Sequence, residues 1–371
     1  MTKLTANGRP PFRADHIGSL LRPAKLREAF KQVAAGNLRN AEFQRIQEEA
    51  IRDVVRLQES AGLQVVTDGE FRRASYWGRF VSMVEGFVIK EAQFKFHDDH
   101  GHETEFTAPH VVSRVKRRGP IGLDEFKFVK PLTDATPKIT MPAPSTMHYW
   151  RVGNWADPGI YRDAREFFAD LGKVYQREIA ELSAAGCQYV QLDEVALANL
   201  CDPVSREKAK ALGADPDALV DLYVAAINEA VKTVPANMVV GVHMCRGNFK
   251  GKYLSEGGYD SVADKLFNGA RVNHFLLEYD TPRAGDFAPL RFLPKNKGAV
   301  LGLVSSKVPQ LESMDVLKRR AAEAATFVDP ARLAISPQCG FASTVAGNPV
   351  TEADEAAKLR LCVEAAKAIW G

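Results

Sequence analysis

The sequence predicts a (β/α)8 TIM barrel, and two observations carry the prediction. Eight short apolar runs, near residues 12, 63, 138, 187, 238, 274, 298 and 333, are each followed by helical sequence. That alternation builds a parallel sheet ringed by helices. Each run also ends in polar residues of chemical character, and the carboxyl ends of the strands are where such a barrel gathers its active site. An open doubly wound sheet is the competing architecture. Its first strand would normally lead into a Gly-rich phosphate loop, for which Ile17-Gly18-Ser19 is a weak candidate.

Taken in order, Phe12 to Ser19 reads as a short strand ending in a polar turn. Pro23 opens a helix, and a second runs from Ala41 to Ser60, with Ile46, Ala50, Val54 and Leu57 near helical spacing and Gly62 as its stop. Leu63 to Val66 is a buried-type strand that runs into Asp68-Gly69-Glu70, and residues 74–86 suggest a short helix. Over 87–136 apolar and polar residues alternate between Gly and Pro breaks, which indicates a β-hairpin-rich insertion after the second strand, within a single barrel domain spanning 1–371. Its His97-Asp98-Asp99-His100-Gly101-His102 run has metal-ligand chemistry but reads as a solvated hairpin tip.

Strand and helix then alternate. A strand at Lys138 to Pro142 leads to Ser145 and His148-Tyr149-Trp150, and a long helix covers 158–185. The next strand ends in Asp193-Glu194, and 203–233 is helical. Met238 to Cys245 is a strand, 259–268 helical, and the following strand closes on Glu278-Tyr279-Asp280. Gly298 to Val304 ends in Ser305-Ser306-Lys307 before a helix at 308–328; the last strand, from Leu333, ends at Cys339, and 352–370 is the closing helix.

Composition narrows the function classes. With 46% hydrophobic and 26% charged residues in 371, the chain has the make-up of an ordinary globular protein. A net charge of only +3 provides no field for nucleic acid or an anionic membrane surface. No apolar run reaches membrane-span length and no signal-peptide core is evident, so a cytoplasmic location is expected. Five irregularly spaced cysteines do not make a disulfide framework; any with a special role would be ligands or nucleophiles.

The chemistry centres on His243 and Cys245. In a strand, residues two apart project to the same side, so the pair forms half of a soft-metal site. The plain alternative is two core residues. Glu278 and Cys339, also at strand ends, can converge with them, and His243, Cys245, Glu278 and Cys339 then offer N, S, O and S ligands to a tetrahedral Zn2+. Zinc with two thiolates suits binding a substrate thiol as its thiolate, ready to attack an electrophilic carbon. S-alkylation of a small thiol is therefore expected.

The chain resembles the catalytic barrel of cobalamin-independent methionine synthase, and more closely its single-barrel relatives. The resemblance rests on Ile17-Gly18-Ser19, Asp68-Gly69-Glu70, Gln191-Leu192-Asp193-Glu194, His243-Met244-Cys245, Leu277-Glu278 and Gln338-Cys339-Gly340. It implies zinc on His243, Cys245 and Cys339, with Glu278 as a fourth ligand that a thiol displaces. It also implies homocysteine bound among Ile17, Ser19, Glu70 and Asp193, and methyl transfer from a methyl-folate or a methyl-corrinoid to give methionine. His148 and Trp150 are expected to help form the donor pocket, because a flat ring stacks on aromatic faces.

The sequence departs from the family in two respects. Two-barrel members carry an additional N-terminal half, which this chain does not match. Where members have a His at the end of the seventh strand, this chain reads Val304-Ser305-Ser306-Lys307. Lys307 is a candidate source of charge or a proton, although a lysine at a barrel rim is ordinarily surface. The competing function is alkylation of another small thiol, as in epoxyalkane:coenzyme M transferase; a sulfonate-bearing thiol would need cations where Glu70 and Asp193 stand. The amphipathic helices leave room for a homo-oligomer face without identifying one.

Overall fold

A computed structural model describes residues 8–371. Seven parallel strands lie side by side in the order of the chain: β1 (Val65–Val66), β4 (Thr136–Pro142), β5 (Tyr189–Glu194), β6 (Val239–Met244), β7 (His274–Glu278), β8 (Gly298–Val304) and β9 (Leu333–Pro337). Between β1 and β4 in the chain, β2 (Val84–Glu91) and β3 (Thr107–Arg117) form a separate antiparallel hairpin.

The expected first strand is reduced to one parallel bridge, Ala14 to Ile335. Closure of the barrel there relies on individual contacts: Asp15 N–H donates to Ile335 O at 2.9 Å, Thr67 Oγ1 to Gly18 O at 2.6 Å, and Leu20 N–H to Gly69 O at 3.1 Å. The physical reason is the polar run Asp15-His16, whose side chains turn inward instead of extending a ladder. Lys138 Nζ donates to Asp15 Oδ1 at 2.8 Å, to Gln191 Oε1 at 2.9 Å and to the His16 carbonyl. The Tyr189 hydroxyl donates to Asp15 Oδ2 at 2.7 Å and lies 2.7 Å from His274 Nε2. Asp15, His16, Lys138, Tyr189, Gln191 and His274 are all buried, so the charges of Asp15 and Lys138 are tolerated because they pair with one another.

Several helices match their expected spans, among them α1 (Ala24–Ala34), α2 (Asn40–Ser60), α9 (Asp260–Gly269) and α11 (Glu352–Trp370). The expected helix at 203–233 is two, α7 (Pro203–Ala211) and α8 (Pro216–Ala230). Gly213 takes φ +84°, and Asp215 then caps a new helix whose first residue is Pro216, so start and stop signals outweigh the continuous apolar pattern. Two long helices start later than expected, α5 (Ala164–Ala184) behind the Asp163 cap and α10 (Met314–Ala324) behind the Ser313 cap. No helix among the described residues is long and apolar enough to cross a membrane.

The hairpin begins at Val84, and the stretch after Arg117 turns helical in α4 (Leu123–Val129). It is bolted to the barrel's outer layer by Arg117, which donates to Glu178 at 2.6 and 3.1 Å. The same carboxylate accepts the N–H groups of Ile121, Gly122 and Leu123 at 2.9, 2.7 and 3.2 Å. This anchorage holds the hairpin over the carboxyl ends of the strands.

Candidate active site

The strand ends bring three soft ligands together. His243 is on β6, Cys245 follows it by two residues, and Cys339 lies just beyond β9; their ligand atoms are all within 4.8 Å of one another and all three residues are buried. Among the described residues no other cluster of His, Cys, Asp or Glu meets this condition; the His97–His102 run does not. There Asp98 turns back on its own loop, accepting the N–H groups of His100 and His102 at 3.0 Å.

The donor set fits a metal. His243 Nδ1 lies 3.2 Å from the Leu276 carbonyl, which can only accept, so Nδ1 carries the ring proton. Nε2 is left with its lone pair and, though buried, has no hydrogen-bond partner. An imidazole oriented by a backbone carbonyl beside two sulfurs is the set a zinc ion takes. The sulfurs divide one proton unequally. Cys339 is held well below the usual thiol range by the Cys245 S–H and, against burial, by His243; Cys245 is pushed up by giving that hydrogen bond and by burial. Against burial, the Cys339 sulfur, Asp193 and Glu278 raise His243.

Glu278 stands beside this trio but outside it. One oxygen, Oε2, accepts the Arg246 N–H at 2.7 Å; the other, Oε1, lies 3.7 Å from Lys307 Nζ. Against burial, the charges of Lys307 and Arg246 keep the carboxyl below its ordinary range. Lys307 is not the surface residue that the sequence led us to expect. It is only 6% exposed, because the Gly298–Val304 strand end carries it inward to face Glu278.

The trio opens onto a cavity of about 780 Å³. Its lining includes Ile17, Ser19, Glu70, Asp193 and Trp150. Glu70 sits at φ +61°, a left-handed backbone that costs a non-glycine residue about 1 kcal/mol or more. It is held there by its own N–H on Asp68 Oδ1 and by Arg22 Nη2 on its carbonyl, both at 2.8 Å. Its Oε1 accepts from Thr140 Oγ1 at 2.6 Å, and Oε2 has no partner. Asp193 accepts from Gln191 Nε2 at 2.7 Å, and burial together with the Glu70 charge pushes it up to about 7. The ends of the chain's first and last barrel segments meet closely here: a Cβ on Gly340 would lie 1.9 Å from Ser19 Oγ.

His148 is elsewhere. It does not line this cavity; its Nδ1 is 2.9 Å from the Tyr223 hydroxyl, and its ring packs on Trp155 and Phe168. The tight turns Pro144–Met147 and Tyr149–Arg151 send neighbouring side chains to different sides, so Trp150 reaches the cavity while His148 does not. Sequence reasoning missed the outer wall: Tyr76 and Trp77, Phe87 and Ile89 of β2, Phe96 and Phe106 between the hairpin strands, and Phe249 and Asn248 after β6. Their aromatic density was visible in the sequence. What was lacking was the fold of the hairpin back over the barrel mouth.

Comparison with known proteins agrees with this geometry. The family described as "Cobalamin-independent synthase, Catalytic domain" matches residues 12–368. The chain is 39% identical to "Uncharacterized protein YxjH" of Bacillus subtilis over 97% of this chain and 95% of that one. It is 29% identical to "Methionine synthase" of Pyrococcus abyssi over 88% and 85%. Among solved structures, a putative vitamin-B12 independent methionine synthase from Listeria monocytogenes superposes with a TM-score of 0.76 at 30% identity, covering 98% of this chain and 100% of that one. The chain thus belongs to the family of cobalamin-independent synthase catalytic domains.

Proposed function

We propose that this protein is a zinc-dependent methyltransferase that moves a methyl group onto the thiol of homocysteine, giving methionine, with a methyl-folate or methyl-corrinoid donor. One observation carries the reading: the His243, Cys245 and Cys339 trio faces the same cavity as two buried carboxylates, Glu70 and Asp193. Zinc held by these three residues would lower the pKa of a bound thiol and keep it as a thiolate at neutral pH.

The chain's own residues supply the rest. The unpartnered Glu70 Oε2 and the Asp193 carboxylate offer an ammonium group charge-assisted hydrogen bonds in a buried setting, where such bonds are strong. Ile17 and Ser19 wall the same end of the cavity and fix how far an amino acid enters. At the outer end, Tyr76, Trp77, Phe96, Phe106 and Trp150 present faces on which a flat pterin or corrin ring stacks, and they exclude water from the thiolate. A thiol carrying a sulfonate in place of the amino acid would meet repulsion at Glu70 and Asp193, which disfavours the coenzyme M-like alternative. The relatives named methionine synthase fit the same reading.

The test is direct. Zinc-loaded protein is incubated with homocysteine and, in separate arms, methyl-tetrahydrofolate or methylcobalamin, with coenzyme M as a competing thiol. Methionine in one arm, abolished in Cys339→Ala, is the expected result. Thiol alkylation with coenzyme M but not with homocysteine would overturn the assignment.

A further inference from the structure

We infer that Gln191 and Thr140 are positioning residues: from beneath the cavity they hold the Asp193 and Glu70 carboxylates in place, so that the two together select a thiol that carries an ammonium group. The inference rests on the homocysteine reading above and deepens it.

Three observations converge. First, the two residues form one layer under the carboxylates. Gln191 on β5 is the register partner of Thr140 on β4; both are buried and neither lines the cavity. Side chains two residues apart on a strand share a face, so Gln191 stands one step below Asp193. Its Nε2 donates to Asp193 Oδ1 at 2.7 Å, and Thr140 Oγ1 donates to Glu70 Oε1 at 2.6 Å.

Second, each donor can point only one way. Gln191 Oε1 accepts from Lys138 Nζ at 2.9 Å, and an ammonium only donates, so the amide nitrogen faces the opposite side. There its two hydrogens are both engaged, one by Asp193 and one by the Ile17 carbonyl at 2.7 Å. Thr140 Oγ1 accepts from Arg73 Nη1 at 3.0 Å, which commits its single proton to Glu70. A buried cation thus stands behind each neutral side chain and fixes the sense of its hydrogen bond.

Third, the layer keeps two like charges available. Burial and then the Glu70 charge push the Asp193 carboxyl up, a repulsion that hydrogen bonds from below oppose. Asp193 takes its side-chain hydrogen bond from a neutral amide, and Glu70 Oε2 has no partner, although Arg73 lies 3.4 Å from Oε1. An entering ammonium therefore meets two carboxylates that are held in place and still have capacity to accept.

The experiment measures two dissociation constants on zinc-loaded protein: one for homocysteine, and one for the deamino analogue mercaptobutyrate, which has the thiol and carboxylate but no ammonium. Gln191→Met keeps the length of the side chain and leaves Lys138 bonded to Asp15 and the His16 carbonyl. It should raise the homocysteine Kd about tenfold or more and leave the mercaptobutyrate Kd within about twofold. Thr140→Val, nearly isosteric, should weaken homocysteine alone by roughly threefold to tenfold, and it keeps the test open if Gln191→Met does not fold. In an Asp193→Asn background, adding Gln191→Met should change the homocysteine Kd by no more than about twofold, because Gln191 acts through Asp193. Unchanged discrimination between the two thiols in the single variants, or equal loss of both, would overturn the inference. A zinc-loaded wild type that binds homocysteine no better than mercaptobutyrate defeats the functional reading beneath it instead.

Discussion

The neighbourhoods of Lys138 and Lys307 place a buried lysine against a buried carboxylate in two different ways. Lys138 has three acceptors, and its partner Asp15 is further bonded by Tyr189. The Lys307 ammonium has no hydrogen bond and a single carboxylate oxygen at 3.7 Å. The first cluster lies within the sheet, where Asp15 and Lys138 are fully buried, and stitches the weak first segment to its neighbours. The second lies at the strand ends beside Cys245 and Cys339. A saturated network has one stable arrangement, while an unsaturated one can exchange partners.

The largest expected effect breaks the saturated side. Lys138→Met leaves Asp15 charged and buried, and should cost about 3–5 kcal/mol in denaturant unfolding; the same change at Lys307 in the zinc-loaded protein should cost less than half as much. Equal losses would erase the distinction. Glu355 extends the comparison to a carboxyl with no cation. Burial, opposed by the Leu21 N–H it accepts at 2.8 Å, pushes it up to about 8. Its folded value exceeds its unfolded one, so its contribution is complete below the ordinary carboxyl range near 4.5 and is lost as pH rises through about 8. Between those limits the wild type should lose on the order of 3 kcal/mol relative to Glu355→Gln. Parallel stability–pH profiles would contradict this.

A smaller effect is expected at the cavity. Glu70→Gln keeps size and removes charge, and should weaken homocysteine binding about tenfold by calorimetry, with the fold retained. The smallest is at the hairpin tip, where replacing His100 and His102 with Ala should change stability by no more than about 0.5 kcal/mol and leave zinc content unchanged. Loss of zinc there would place a second metal site on the hairpin.

The same contrast explains what could be read from the sequence. The meeting of His243, Cys245 and Cys339 was legible because each ends or follows an apolar run, and barrel topology sends all such ends to one rim. Glu70 and Asp193 were legible as polar residues for the same reason, but not the left-handed backbone at Glu70, which arises from contacts with Arg22 and Asp68 distributed along the chain. The inward course of Lys307 was hidden because it depends on Gln338 and Asn348, more than 30 residues away. His148 was assigned to the cavity from its neighbours, and only the turn geometry shows that it packs on Tyr223 instead. The first strand was overestimated because an apolar run with inward-facing charge at its centre pairs through side chains more than through a ladder.

The central claim is that the trio at this rim binds a substrate thiol through zinc. Zinc-edge X-ray absorption on the loaded protein, with and without homocysteine, tests it most directly. The account predicts a shell of one imidazole nitrogen and two sulfurs that gains a third sulfur when homocysteine is added; a shell unchanged at saturating homocysteine would contradict it.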